Sequence, residues 1–283
     1  MRVLVTGTAG MLAKDLVPLF AEGGYEVIAP PEDMLDITHL DTVKSVVESC
    51  EPEMIANCAA YTQVDQAESE EHQALMVNGF GVQNLCLVCQ ERDIPLVHFS
   101  TDYIFDGTKK GPYTIYDAPN PVGAYGRSKL LGEKYILWLL NRFYLIRTTW
   151  MFGTHGRNFI DTMLEIGRRQ NKISVVNDQR GCPTWTRHLA EAVIALIRTG
   201  HYGVYHVTSS EPVTWFEFAR EIFHLSGMDI ELVPVTSDQF PTPARRPLNS
   251  VLDPFPLPQL LGREMPSWRE GLREHLKQRG VVK

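Results

Sequence analysis

"MRVLVTGTAGMLAKDLVPLFAEGG", residues 1–24, decides how the whole chain is read. A short β-rich apolar run ends at Thr6-Gly7, and from Met11 the apolar residues recur at helical spacing until Gly23-Gly24 stops them. That is strand, tight turn, helix. Gly7 and Gly10, with the small Ala13, let the backbone turn sharply, approach a pyrophosphate and pack the helix on the sheet. The helix start would then present unpaired N–H groups to the phosphates. The spacing is G-x-x-G-x-x-A, which an ordinary strand-to-helix turn also fits. Its position, opening the chain between a strand and a helix, makes it a dinucleotide-binding signature.

Outward from this turn the pattern repeats. "YEVIAP" (25–30), "MIANCAA" (54–60), "PLVHFST" (95–101) and "YLIRTTW" (144–150) read as strands. "DTVKSVVESCEP" (41–52), a stretch from about 70 to 92 and another from about 124 to 141 read as the helices between them. This alternation predicts an α/β fold, a Rossmann-type doubly wound parallel sheet with helices on both faces. Beyond Trp150 it loosens into helical segments, the strand "GVYHVTS" (203–209), proline-rich turns from 234 to 258 and a last helix near "SWREGLREHLKQ" (267–278). The expected division is a dinucleotide-binding domain over 1–149 with a returning segment near 173–198. The segments 150–172 and 199–283 are expected to form a smaller α/β substrate-binding lobe.

The 283 residues, 44% hydrophobic, suffice for one large domain with an added lobe. A net charge of -7 leaves no basic surplus, which argues against nucleic acid or an anionic membrane surface as a partner. No apolar run approaches the roughly eighteen residues of a span, and Arg2 is followed at once by a strand, so a cytoplasmic location is expected. Five cysteines make an odd number of free thiols, and Cys86-x-x-Cys89 reads as the buried face of a helix.

Candidate chemistry gathers where strands end. "NCAAYT" (57–62) has the small residues that close passage beside a cofactor requires, and Thr101, Asp102 and Tyr103 follow at the next strand end, at the edge where ligands of open α/β sheets bind. Tyr125 is the one tyrosine with a lysine four residues on, Lys129, and on a helix such a pair shares a face. A neighbouring ammonium favours the phenolate and would bring a phenol toward its working range as a proton donor. Hydroxyl, phenol, ammonium and a nicotinamide together would reduce a carbonyl. Pro30-Pro31 stands where an acidic residue or an arginine would separate NAD from NADP, so that choice stays open.

With these motifs the chain resembles the extended short-chain dehydrogenases/reductases and, more narrowly, the dTDP-4-dehydrorhamnose reductases. The narrower likeness rests on "STDYIFDG" (100–107), "YGRSKLLGE" (125–133), "RTTWMFG" (147–153), "DQRGCPT" (178–184) and "RPLNSVLD" (246–253). It implies reduction of the 4-keto group of a dTDP-linked 4-keto-6-deoxy sugar, giving dTDP-L-rhamnose. It also implies NADPH or NADH as reductant, tilting toward NADPH. Tyr125 would be the general acid, Lys129 would lower its pKa and hold the nicotinamide ribose, and Thr101 would polarise the carbonyl. The same likeness puts the cofactor against Gly7, Gly10, Met11, Leu12, Asp36, Ile37, Ala59, Ala60, Tyr61, Tyr125 and Lys129. Substrate contacts fall to Asp102, Trp150 and Arg246, the last as partner of a diphosphate. No metal site is expected, and a homodimer is left open.

Two rivals are weighed against this. A nucleotide-sugar epimerase or 4,6-dehydratase shares the fold, but dehydratases carry an Asp-Glu pair after the threonine, and Thr101-Asp102 is followed here by Tyr103. A non-catalytic regulatory subunit similar to the methionine adenosyltransferase beta subunit would have no need of Thr101, Tyr125 and Lys129 together.

Overall fold

The computed structural model describes residues 1–282, in which the alternating pattern becomes six parallel strands covered by helices on both faces. Strands β1 (Arg2–Thr6), β2 (Glu26–Ile28), β3 (Met54–Asn57), β4 (Leu96–Thr101) and β5 (Phe143–Thr148) alternate with α1 (Met11–Glu22), α2 (Leu40–Cys50), α3 (Glu71–Leu75), α4 (Val82–Arg92) and α5 (Ala124–Leu139). Then come β6 (Met151–Phe152), α6 (Phe159–Gly167), β7 (Lys172–Val176), β8 (Arg180–Gly181), β9 (Thr184–Trp185), α7 (Thr186–Thr199) and β10 (Gly203–His206). The chain finishes through β11 (Val213–Thr214), α8 (Trp215–Ser226), β12 (Glu231–Val235), α9 (Leu257–Leu261) and α10 (Trp268–Gln278).

The sheet order is β2-β1-β3-β4-β5-β10. Because β2 and β3 flank β1 on opposite sides, the winding reverses between β1 and β3, and a crevice opens at their carboxyl ends. Strands β3 and β4 are buried along their whole length, so they read as near-continuous apolar runs rather than alternating ones. One face packs Leu16 and Phe20 of α1 and Leu189, Val193 and Leu196 of α7 on Val3, Val5 and Ile146. The other packs Val43 and Val47 of α2, Leu85 of α4 and Ile136 of α5 on Leu4, Ile55, Leu96 and Leu145. Each such side chain contributes about 1.5–3 kcal/mol on burial. Cys86 and Cys89 belong to this second core, and burial pushes the Cys89 thiol up to about 12.

A third core joins Phe152, Ile173, Trp185, Phe218, Ile222, Trp268 and Leu272 into the lobe. Strand β7 pairs with β12 there, whereas β10 lies in the main sheet beside β5. The return to the sheet runs through α7, within the expected 173–198 but for its last residue, and goes on into β10, which lies in the main sheet although it falls in the segment 199–283 expected for the lobe, while β7 pairs inside the lobe. Tyr205 and Val207 decide this by burying against the α7 side of the sheet. The stretch from 71 to 92 is continuous, but a π-helical turn over Met76–Gly81 interrupts its α pattern. Among the described residues no helix is long and apolar enough to cross a membrane, and no cluster of three or more His, Cys, Asp or Glu could hold a metal ion.

Candidate active site

Gly7 sits at φ +63°, and a Cβ there would lie 2.4 Å from the Ala59 nitrogen. Only glycine tolerates both, so the ends of β1 and β3 touch at the switch point. Gly10 begins α1 with its N–H on the Gly7 carbonyl (2.9 Å), no side chain caps the helix and its first turn holds no acidic residue. The start of α1 thus keeps free N–H groups and the positive end of its dipole, which fits an anionic diphosphate. Leu12 is buried in the core, Met11 reaches the backbone at Gly153 and Gly156, and Ala59, Ala60 and Tyr61 form the opposite rim. Ile37 is a core residue under Gly81, while the Asp36 carboxylate accepts from the Thr38 N–H and hydroxyl in its own turn. Asp36 also lines a pocket of about 600 Å³ with Glu32, Asp33, His39 and Thr42, to which no lysine or arginine contributes among the described residues.

Thr101 ends β4, and Tyr125 lies in the first turn of α5. A Cβ on Gly126 would fall 2.2 Å from the Tyr103 carbonyl oxygen, so glycine here lets α5 press against the turn that follows β4. The Glu68 carboxylate accepts the Ala124 N–H (2.8 Å) and fixes the helix start, and the Tyr125 ring meets Tyr103 edge-on at 5.6 Å. Thr101 donates to Asp102 Oδ1 (3.0 Å) and accepts from the Tyr103 N–H (3.2 Å). Burial pushes the Tyr125 phenol above its ordinary value, the Asp102 charge adds to this, and the adjacent Thr101 hydroxyl opposes it.

Lys129, expected to lower this phenol, is not among the groups acting on it, and the phenol stays raised. The ammonium is turned toward β4, donating to the Phe99 carbonyl (2.6 Å) with His98 Nε2 at 3.4 Å. Burial pushes Lys129 itself down to about 8, against the opposing charges of Glu133 and Cys58. Glu133 in turn is held by Arg147 through two buried contacts of 3.1 and 2.8 Å.

The three substrate candidates lie differently from one another. Asp102 is buried, with Oδ2 unpartnered; burial raises it to about 6, with the Ser250, Thr101 and Thr149 hydroxyls opposing. Trp150 holds a left-handed backbone (φ +47°), uncommon for a bulky residue, and stacks on Trp215 at 3.6 Å and 8°. Arg246 is engaged: its guanidinium grips Asp65 through two contacts of 3.0 and 2.8 Å and also donates to the Ala244 carbonyl. Its expected diphosphate is thus matched by a carboxylate of the protein, which ties the loop after β3 to the segment before Pro247.

Further polar groups tie the site together, among them Asn78, which the family resemblance also puts near the active site. Asn78 accepts from the Tyr61 N–H (2.9 Å) and donates to the Tyr61 carbonyl (3.0 Å) and the Ser128 hydroxyl (2.9 Å), joining the rim of the crevice to α5. Asn57 and His98 are fully buried within β3 and β4. The signal for them was a polar residue inside an otherwise apolar strand, which burial makes costly unless it is hydrogen-bonded.

The switch-point cradle and a hydroxyl and phenol at the same sheet edge define a dinucleotide-dependent oxidoreductase of the extended short-chain dehydrogenase/reductase class. Within that class the chain belongs to the RmlD substrate binding domain family, which it matches over residues 1–280. It is 45% identical over 253 residues to a dTDP-4-keto-6-deoxy-D-glucose reductase of Streptomyces niveus, covering 89% of this chain and 88% of that one. It is 39% identical over 285 residues to a dTDP-4-dehydrorhamnose reductase of Aggregatibacter actinomycetemcomitans, covering 96% and 97%. The crystal structure of a Bacillus anthracis dTDP-4-dehydrorhamnose reductase in complex with NADP superposes with a TM-score of 0.94 at 38% identity, covering 98% of this chain and 99% of that one.

Proposed function

We propose that the protein reduces the 4-keto group of dTDP-4-dehydro-L-rhamnose to the alcohol of dTDP-L-rhamnose, with NADPH or NADH as the reductant. The observation that carries this is the Tyr125 phenol beside the Thr101 hydroxyl, at the sheet edge that also holds the Gly7–Gly10 cradle. Gly7, Gly10, Met11 and Leu12 would hold the dinucleotide, with Ala59, Ala60 and Tyr61 along its other side. The reduced nicotinamide, when bound, supplies a hydride to the sugar C4.

The chain's own residues manage the proton. Tyr125 keeps its phenol protonated at neutral pH, because burial and Asp102 raise it, and delivers that proton to the developing alkoxide. Thr101 donates to the same oxygen and polarises it. The buried, unpartnered Oδ2 of Asp102 accepts a sugar hydroxyl, and Trp150, braced by Trp215, offers its ring to the sugar face. Arg246 shapes the wall through Asp65. A second reading has one specific support: the relative at 45% identity is named for dTDP-4-keto-6-deoxy-D-glucose, whose ketone the same groups would reduce.

The test follows loss of the near-ultraviolet absorbance of reduced cofactor with each ketone generated in place. Faster turnover of the dehydrorhamnose nucleotide is expected. Preference for the 6-deoxyglucose ketone would select the second reading, and no turnover of either by folded, cofactor-binding protein would overturn both.

A further inference from the structure

A row of buried polar groups crosses beneath the sheet edge, from β1 through β3 and β4 to α5. Thr6, Asn57, His98 and Lys129 are each at most 2% exposed. Thr6 donates its hydroxyl to Asn57 Oδ1 (2.6 Å), Asn57 Nδ2 meets His98 Nδ1 (2.9 Å), and His98 Nε2 faces Lys129 Nζ at 3.4 Å.

The direction of this row follows from one donor that cannot change. The Ala59 backbone N–H lies 3.2 Å from Asn57 Oδ1, so that end of the amide is the oxygen and the end facing His98 is the NH₂. An amide NH₂ only donates, so His98 Nδ1 must accept. Burial and the Lys129 charge push the His98 pKa well below its usual value, so the ring is neutral and carries its single hydrogen on Nε2. Lys129 therefore faces an N–H where an ammonium would seek a lone pair.

We propose that Asn57 locks His98 in the Nε2–H tautomer and that this tautomer tunes Lys129, destabilising its ammonium and offering the neutral amine a hydrogen-bond donor instead. Asn57 and His98 are thus positioning residues that act through Lys129. The groups facing that amine are His98 and the Phe99 carbonyl from β4, Cys58 after β3 and Glu133 from α5, the last neutralised by Arg147 from β5. Glu133 and Cys58 favour the ammonium; burial and the imidazole N–H oppose it. Burial alone already lowers the proton affinity of Lys129, and the imidazole N–H acts in the same direction. The inference rests on the reductase reading, in which the family resemblance gives Lys129 its role beside Tyr125, but its test needs no substrate.

In full-length protein labelled with ¹⁵N-histidine, long-range ¹H–¹⁵N correlations report which ring nitrogen carries the hydrogen, with His98 assigned by its loss in His98→Gln. Hydrogen on Nε2 is expected; hydrogen on Nδ1 overturns the lock. Lys129 is then titrated through its ¹³Cε resonance in the wild type, Asn57→Ala and Asn57→Asp. Removing the amide donor frees the ring to move its hydrogen to Nδ1, so both variants should bind the Lys129 proton about tenfold more tightly or better. The alanine adds no charge and isolates the tautomer, so an unchanged Lys129 titration in folded Asn57→Ala overturns the tuning. Should that variant not fold, the wild-type tautomer decides. Failure of the reductase reading would appear separately, as absence of turnover by the wild type with both NMR results intact.

Discussion

Two walls face each other across the cleft. In the sheet wall, Thr101, Tyr125 and Lys129 are delivered by one strand and the helix that follows it, and Gly126 sets how closely the two approach. In the lobe wall, Arg246 reaches Asp65 across 181 residues, and Trp150, in the bend after β5, is braced by Trp215 at the start of α8. The sheet wall is set by the start of α5 packing directly on the backbone after β4, so its geometry is stiff and suits bond-making. The lobe wall is made of side chains that meet only in the folded state, so it can change with little effect on the chemistry, which suits choice of sugar.

Breaking the sheet wall should have the largest effects. Tyr125→Phe is expected to slow reduction by about a hundredfold or more while leaving dinucleotide affinity unchanged. Cofactor oxidation and a fluorescence titration check the two halves of that statement, and near-normal turnover would remove Tyr125 from the mechanism. Gly7→Val places a β-branched residue at positive φ with its Cβ inside Ala59, so a loss of about 3 kcal/mol in urea unfolding and of cofactor binding is expected. Unchanged binding would show that the cradle lies elsewhere.

Asp102 stands where the walls meet and links them to pH. Its folded pKa is raised to about 6 from 3.8, so between those values the folded protein binds the extra proton. Its contribution therefore lowers stability as pH rises from about 4 to 6, and the penalty is complete above that window. Asp102→Asn should remove a penalty on the order of 3 kcal/mol at pH 7 and little of it near pH 4. Urea midpoints at the two pH values test this, and a difference between variant and wild type that does not change with pH would exclude the buried carboxylate as its cause.

The lobe wall should respond least. Arg246→Ala breaks a partly exposed ion pair, for which screening leaves about a two- to fivefold rise in KM for the sugar nucleotide and no change in kcat. Asp65→Asn should do the same if the pair shapes the wall. A rise confined to the arginine variant would instead return Arg246 to the diphosphate.

Much of the first wall was legible from residues 1–24 and from the Thr101, Tyr125 and Lys129 spacing, because the 3.6-residue and two-residue periods and a glycine turn are local properties. The lobe boundary was not: "GVYHV" reads the same whether it closes the main sheet or a separate one, and burial against α7 decided for the main sheet. Sequence placed Tyr125 and Lys129 on one helical face but carried no information on where the ammonium would turn. That depended on the Phe99 carbonyl and the His98 ring, supplied by a neighbouring strand.

By itself, then, the sequence determined the strand-turn-helix repeat, the switch-point cradle and the residues able to donate and stabilise a proton, since each follows from contacts within a few residues. Tertiary structure alone decided the hydrogen-bond direction from Thr6 to Lys129, the commitment of Arg246 to Asp65 and the left-handed seat of Trp150. Those depend on which distant groups share a buried space, where a polar atom must find a partner or carry the cost of lacking one.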